Sequence, residues 1–202
     1  MIRTEVTEGL CTIWLARSEK ANALTEEMLL GIAEAARGAK ALVLTGEGRV
    51  FSAGADLEGM KAGLGTSPAW TRAVEALASF PGPTIAALNG TLAGGAMGVA
   101  LACDIRIAVP GAQFFYPVMR LGYLPQPPDP ARLTALVGPS RARMILLAGA
   151  RIGAEEALAW GLIDRITPPE ILMETAKALA ADALNADQSH VAALTRMTRG
   201  TL

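Results

Sequence analysis

Short apolar runs alternate along the first half of the chain with segments in which apolar residues recur at helical spacing. Residues 5–16 combine β-prone residues on both sides of a polar turn at Glu8 and Gly9, which predicts two short strands. From Leu24 to Ile32 the apolar residues recur every fourth position, behind acidic residues that suit a helix's first turn. The opening pattern is therefore strand, strand, helix.

Continuous apolar runs then predict strands that are buried on both faces. They cover residues 40–46, 84–90 and 104–111, and helices are expected around 71–80 and from about 95 to 102. An order in which strands and helices alternate implies crossover connections and a parallel sheet. A proline-rich loop, two or three helices, a short helix and strand over 151–166, and C-terminal helices complete an α/β prediction.

Composition narrows the class of protein further. The 202 residues are 51% hydrophobic but only 4% aromatic, which favours one domain over 1–202 with a core of small aliphatic side chains. With 18 basic and 19 acidic residues the net charge is −1, so no overall field attracts nucleic acid or an anionic membrane. Each apolar run is interrupted before the roughly 20 residues that a spanning helix needs. We expect a soluble protein with neither partner.

The N-terminus and the rare residue types point to a reducing compartment. Residues 1–10 lack the apolar core of a signal peptide, and Cys11 and Cys103 form no disulfide or metal-binding framework. The one histidine, His190, lies on a helix predicted to be exposed, which argues against a Ser-His-Asp hydrolase. We expect a cytoplasmic protein without a metal site.

Two glycine-rich turns are the candidates for chemistry. Residues 46–57 follow one predicted strand, and residues 92–98 join the next strand to a helix. Turns after neighbouring parallel strands open at the same sheet edge, where two backbone amides could donate to one oxygen. The alternative is that the glycines serve only tight turns and close packing. No dinucleotide or phosphate-binding glycine motif is present.

Several motifs together resemble the crotonase superfamily, which is also called the enoyl-CoA hydratase/isomerase family. In chain order they are NAL (22–24), LVLTGEGRVFSAGADL (42–57), ALNGTLAGGAMGVALACDIRIA (87–108), AQFFYP (112–117), LGYLP (121–125) and AEEALAWGLIDRI (154–166). The likeness covers nearly the whole chain. It implies a ClpP/crotonase-like fold of repeated ββα units with a mainly parallel sheet.

By that resemblance, the amides of Ala55 and Gly95 form an oxyanion hole for an acyl-CoA thioester carbonyl. Coenzyme A then arrives as part of the substrate, along residues 51–57, and no separate cofactor is expected. Asp56 is interpreted as a cap or loop anchor. The positions expected to contact substrate are Phe51, Ala53, Asp56, Leu57, Gly94, Gly98, Val118 and Tyr123.

The resemblance also shows that two expected catalytic residues are absent. Hydratases of this family use two glutamates, and those positions hold Gly98 and Val118 here, neither of which can move a proton. Asp129 is the only carboxylate in the stretch from Tyr116 to Arg132, which follows the second of these positions. It precedes Pro130 at the start of a predicted helix, so it is interpreted as an N-cap, with catalytic base as the alternative. Arg120 is expected to be a surface residue or a partner for a substrate carboxylate.

Two functions remain open at this point. The first is an acyl-CoA thioester enzyme that stabilises an enolate, with isomerisation, decarboxylation, hydrolysis or another lyase reaction undecided. The second is a non-catalytic acyl-CoA binding or scaffolding protein. Family members form homotrimers or dimers of trimers, and we expect a homo-oligomer. Their C-terminal helices extend further, so the helical region from about 133 to 202 is interpreted as shortened.

Overall fold

The computed structural model describes residues 1–199, and within them two sheets and ten helices form a mixed α/β fold. The strands are β1 (Ile2–Thr7), β2 (Leu10–Leu15), β3 (Ala41–Gly46), β4 (Val50–Ser52), β5 (Thr84–Leu88), β6 (Thr91–Ala93), β7 (Ile105–Ala108), β8 (Gln113–Phe115), β9 (Ile152–Gly153) and β10 (Arg165–Ile166). The helices are α1 (Glu26–Ala35), α2 (Leu57–Lys61), α3 (Pro68–Ala78), α4 (Ala96–Leu101), α5 (Val118–Leu121), α6 (Pro128–Val137), α7 (Pro139–Leu146), α8 (Ala154–Trp160), α9 (Leu172–Asn185) and α10 (Gln188–Thr198).

The larger sheet has the strand order β1-β2-β3-β5-β7-β10. β1 and β2 pair antiparallel around the Glu8–Gly9 turn, and every later pair in this sheet is parallel. Every residue of β3 and β5 is buried, because helices and the second sheet cover both faces. The predicted α/β class and its mainly parallel sheet are confirmed.

Helix α1 illustrates how local sequence sets an element boundary. The Thr25 side chain accepts a hydrogen bond from the Met28 amide and caps the helix, with Glu26 and Glu27 in the first turn. Met28 and Ile32 then turn the helix's apolar side into the core. The helix predicted from Leu24 is confirmed, with its first helical residue at Glu26.

The second sheet was not predicted, and it is the element that positions the site. Its strand order is β4-β6-β8-β9, and its members have only two or three residues each. Strands this short carry too little alternation to be recognised from sequence. Because β4 follows β3 and β6 follows β5, the small sheet continues two parallel neighbours and keeps their next turns side by side.

Two findings concern residues named for other reasons. Cys11 and Cys103 are both buried free thiols. His190 is exposed on α10, as predicted. Among residues 1–199, no helix has the length and apolar composition needed to cross a membrane.

Candidate active site

The two glycine turns lie against one another where the small sheet ends. Gly54 has a φ of +104°, and a side chain there would come within 3.0 Å of the Ala93 carbonyl oxygen and 3.4 Å of the Gly95 amide nitrogen. Only glycine combines that backbone conformation with so close an approach. The turn that carries Ala55 is thus held in direct contact with the turn that carries Gly95.

Backbone pairing fixes each turn on its other side. The backbone on both sides of Ala55 forms a bridge with Leu24. The Leu24 amide donates to the Gly54 carbonyl at 2.7 Å, and the Leu24 carbonyl accepts from the Asp56 amide at 2.9 Å. The Gly94 amide donates to the Phe115 carbonyl of β8 at 3.1 Å. Within residues 1–199, the Ala55 and Gly95 amides themselves are not paired with an acceptor. They remain available to a ligand oxygen.

Asp56 anchors the first turn. Its carboxylate accepts from the Gly59 amide at 2.9 Å, which caps α2, and from the Arg17 guanidinium at 2.7 Å. These bonds, the backbone one first, hold the pKa of the Asp56 carboxyl below its ordinary value. The interpretation as a cap and loop anchor agrees with this geometry.

A cavity of about 680 Å³ opens at the two turns. Its wall comes from the turn after β4, the segment from α2 to α3, the turn after β6, and residues 116–127. Gln126 closes one side, because its side-chain amide donates to the Gly65 carbonyl at 2.9 Å. We call this space the main cavity.

Some of the predicted substrate-contacting residues line the main cavity, and others are buried behind its wall. Seven of the predicted site residues line the main cavity: Ala53, Ala55, Leu57, Gly94, Gly95, Val118 and Tyr123. Phe51 is fully buried, while Gly98 and Asp129 lie behind the cavity wall. Sequence reasoning missed Trp70, which packs below Gly95 and whose indole N–H donates to the Leu64 carbonyl at 2.9 Å.

Arg120 does not reach the main cavity. It is exposed and lines a separate cavity of about 260 Å³ together with Arg151, whose guanidinium lies 4.0 Å from the centre of the Phe115 ring. Of its two expected roles, the structure fits the surface residue.

Asp129 is not the N-cap of α6, and that interpretation was wrong. The helix begins two residues earlier than expected, at Pro128 instead of Pro130, without a side-chain cap, and Asp129 lies inside its first turn. The side chain points into the protein and is only 1% exposed. Proline is favoured at the first helical position because it has no amide hydrogen to satisfy there, which explains the earlier start.

The Asp129 carboxylate occupies the space that a side chain at position 98 would fill. A Cβ atom on Gly98 would fall 2.4 and 2.5 Å from the two carboxylate oxygens and 2.7 Å from their carbon. Position 98 is one of the two positions where the family resemblance expects a glutamate. A carboxylate is therefore present at that place in space, delivered from α6 instead of α4.

One hydrogen bond ties this carboxylate to the cavity wall. The Tyr116 hydroxyl donates to Asp129 Oδ2 at 2.8 Å. In the part of the chain that the structure describes, Oδ1 has no hydrogen-bond partner, and neither has Nη1 of Arg132, one turn further along α6. Buried polar atoms are almost always paired, so these two mark a strained or functional place.

Burial raises the pKa of Asp129 from near 4 to about 6, against smaller lowering effects from the Tyr116 hydrogen bond and the Arg132 charge. Below pH 4 the carboxyl is protonated in both the folded and the unfolded chain. Between about pH 4 and 6 the unfolded chain loses this proton first, so the free energy of unfolding falls as the pH rises. Above about pH 6 the carboxyl is ionised in both states, and its contribution to the free energy of unfolding no longer changes with pH.

Replacing Asp129 with Asn removes the buried charge, so the variant should gain stability relative to the natural chain as the pH rises. We expect the difference in unfolding free energy to grow by about 2 to 3 kcal/mol between pH 4 and pH 8. Urea denaturation of both proteins at the two pH values measures it. A difference independent of pH would contradict the raised pKa.

Replacing Gly98 with Ala should force the Asp129 carboxylate to move, because the new methyl group has no space. Overpacking of this kind costs about 1–3 kcal/mol, which denaturant unfolding measures. Gly153→Ala is the matched control, since its methyl group would find only Gln113 at an ordinary 3.6 Å. Equal stability of the two variants would show that the carboxylate is not confined.

No group of three or more His, Cys, Asp or Glu side chains in residues 1–199 is placed to hold a metal ion. The polar groups that the structure gathers at this place are the Ala55 and Gly95 amides, the buried Asp129 carboxylate and the Tyr116 hydroxyl.

Comparison with known proteins shows which family the sequence resembles. The family model for enoyl-CoA hydratase/isomerase matches residues 5–202. The 1,2-epoxyphenylacetyl-CoA isomerase of Escherichia coli is 33% identical over 194 residues, which are 89% of this chain and 74% of that protein. A 4-chlorobenzoyl coenzyme A dehalogenase of an Arthrobacter species is 35% identical over 82% of this chain and 65% of its own length.

Solved structures agree. The enoyl-CoA hydratase of Bacillus anthracis superposes with a TM-score of 0.88 at 30% identity, over 96% of this chain and 81% of that one. An enoyl-CoA hydratase subunit of Geobacillus kaustophilus gives 0.90 at 33% identity, over 98% and 81%. The crotonase-like fold expected from the motifs is confirmed.

Proposed function

Because the chain belongs to the enoyl-CoA hydratase/isomerase family, we propose that it is an acyl-CoA enzyme that forms a thioester enolate and moves one proton. The Ala55 and Gly95 amides hold the enolate oxygen. Asp129 is the ultimate acceptor of the proton. Preorganised amides of this kind act strongly because they are already aimed at the place where negative charge develops.

The observation that carries this proposal is the carboxylate of Asp129 beside Gly98. It supplies one acid–base group behind the oxyanion hole although both expected glutamate positions lack one. Addition of water to a double bond by the family's two-carboxylate route needs a second such group, and Val118 fills that place with an apolar side chain. One carboxylate suffices to take a proton from one carbon and return it to another, which favours isomerisation over hydration.

The protonation behaviour of Asp129 suits this role. A base works best when its pKa lies near the operating pH, and burial brings the pKa of this carboxyl to about 6. At neutral pH it is ionised and ready to accept a proton. The raised pKa makes the Asp129 carboxylate a stronger base than an exposed aspartate, and it lies close enough to neutral pH for the carboxyl to give the proton back.

A non-catalytic acyl-CoA binding protein is the second candidate, and one observation favours it. The Asp129 carboxylate does not line the main cavity, so a bound acyl group would not touch it directly. In that case the glycine turns would bind the thioester without turnover.

Calorimetric titration with acetyl-, crotonyl-, malonyl- and benzoyl-CoA tests the proposal, with the same mixtures then analysed by chromatography and mass spectrometry. We expect binding together with conversion of at least one thioester. Binding without any new product would favour the second candidate. Absence of binding to every thioester would reject both.

A further inference from the structure

The Asp129 carboxylate needs a connection to the main cavity if it is to receive a proton from substrate. It is 1% exposed, and its oxygens lie against Gly98, behind the wall. Among the residues that line the main cavity, Tyr116 is the one whose side chain hydrogen-bonds to this carboxylate. Its hydroxyl is the available bridge between the two.

The backbone places Tyr116 next to the oxyanion hole. It directly follows β8, whose Phe115 pairs with Ala93 of β6 and accepts the hydrogen bond from the Gly94 amide. Tyr116 is therefore one residue beyond the strand pair that ends at Gly94 and Gly95.

We propose that Tyr116 is the catalytic residue that exchanges protons with the acyl group and relays them to Asp129. This inference rests on the proposed function. It adds a named group that touches the substrate, and it makes Asp129 act through a neighbour.

The relay moves two protons and no net electrons. The α-carbon–hydrogen bond of the thioester breaks, and its proton goes to the Tyr116 oxygen while the tyrosine's own proton goes to Asp129 Oδ2. The electron pair left on the substrate becomes the enolate, whose oxygen is held by the Ala55 and Gly95 amides. Reversal returns a proton to the α-carbon or, in a β,γ-unsaturated thioester, to the γ-carbon.

The electrostatic surroundings require the two protons to move together. Burial and the negative charge of Asp129 raise the pKa of Tyr116, so a free tyrosinate is strongly disfavoured. Arg132, on the same helix, acts on Asp129 instead, because its positive charge lowers the pKa of that carboxyl. Concerted transfer avoids the tyrosinate and ends with a neutral pair.

Hydrogen exchange into but-3-enoyl-CoA and acetyl-CoA in D2O, followed by mass spectrometry, tests the relay from pH 5 to 9. We expect Tyr116→Phe to lower the exchange rate by about 100-fold or more at every pH, with the affinity for the thioester changed only a few-fold. The matched control is Thr84→Val. It also deletes a buried hydroxyl that donates to a carboxylate, here Asp104 at 2.8 Å, but away from the main cavity.

The outcomes separate the relay from the proposed function. If Asp129→Asn abolishes exchange but Tyr116→Phe keeps it, with the acidic limb of the pH profile moved upward, Tyr116 only tunes the carboxylate and the relay is wrong. If both variants keep exchange, or the natural chain exchanges neither thioester, the proposed function fails as well.

A double variant covers the case in which Tyr116→Phe alone folds poorly because it strips the carboxylate of its donor. In Asp129→Asn the site is neutral, so adding Tyr116→Phe is tolerated better. A relay predicts that the second substitution causes no further loss of exchange, since both residues serve one step. Multiplying losses would overturn it.

Discussion

Replacing Asp129 with Asn should lower proton exchange and turnover by about 10²- to 10⁴-fold, because it removes the one carboxylate behind the oxyanion hole. Binding of the thioester should persist, since Asp129 does not line the main cavity. In the natural chain, kcat/KM should rise with pH through about 6, where Asp129 loses its proton. Isotope exchange and steady-state rates at several pH values measure both effects.

Asp164→Asn provides the control for this prediction. Asp164 is likewise a carboxylate that accepts one hydrogen bond at 2.8 Å, here from the Arg106 backbone amide, but it lies before β10 and outside the main cavity. The Asp164→Asn variant should keep a reaction rate within a small factor of that of the natural chain. Full activity of Asp129→Asn would mean that the proton acceptor has been misassigned.

Replacing Gly95 with Ala should lower kcat by about 10²- to 10³-fold through the loss of one oxyanion donor. A methyl group there would lie 2.8 Å from the Trp70 ring, and the indole hydrogen bond to the Leu64 carbonyl resists movement of that ring. The Gly95 backbone has to shift instead, and its amide turns away from the substrate oxygen. Steady-state kinetics with the thioester that the protein converts measures the loss.

The control for the oxyanion hole is Gly111→Ala, at an exposed glycine with no atom near the position of the new methyl group. It should change neither stability nor rate. A Gly95→Ala variant as active as this control would show that the amide does not contribute to the reaction.

The oxyanion turns could be predicted from the sequence because their geometry follows from short-range rules. Two buried apolar runs, each followed by a glycine-rich turn, imply neighbouring parallel strands with their turns at one edge. The structure brings Gly54 and Gly95 together in this way. The family motifs then assigned the two amides, although their role in catalysis stays a prediction.

The proton acceptor could not be recognised in the same way. An aspartate beside a proline at a helix start carries the local signal of an N-cap. What decides its environment is a tertiary contact, in which the helix that holds Asp129 crosses α4 at the residue without a side chain. The one sequence feature that pointed to this contact was Gly98 itself. A glycine at a helical position where an acid was expected leaves room for a side chain from another element.

The pairing of Gly98 with Asp129 also restricts which substitutions this site accepts together. The two positions share one volume, so a side chain at 98 and the carboxylate at 129 compete for it. A side chain added at 98 should therefore cost less stability when the residue at 129 is shortened in the same chain than when it is added alone.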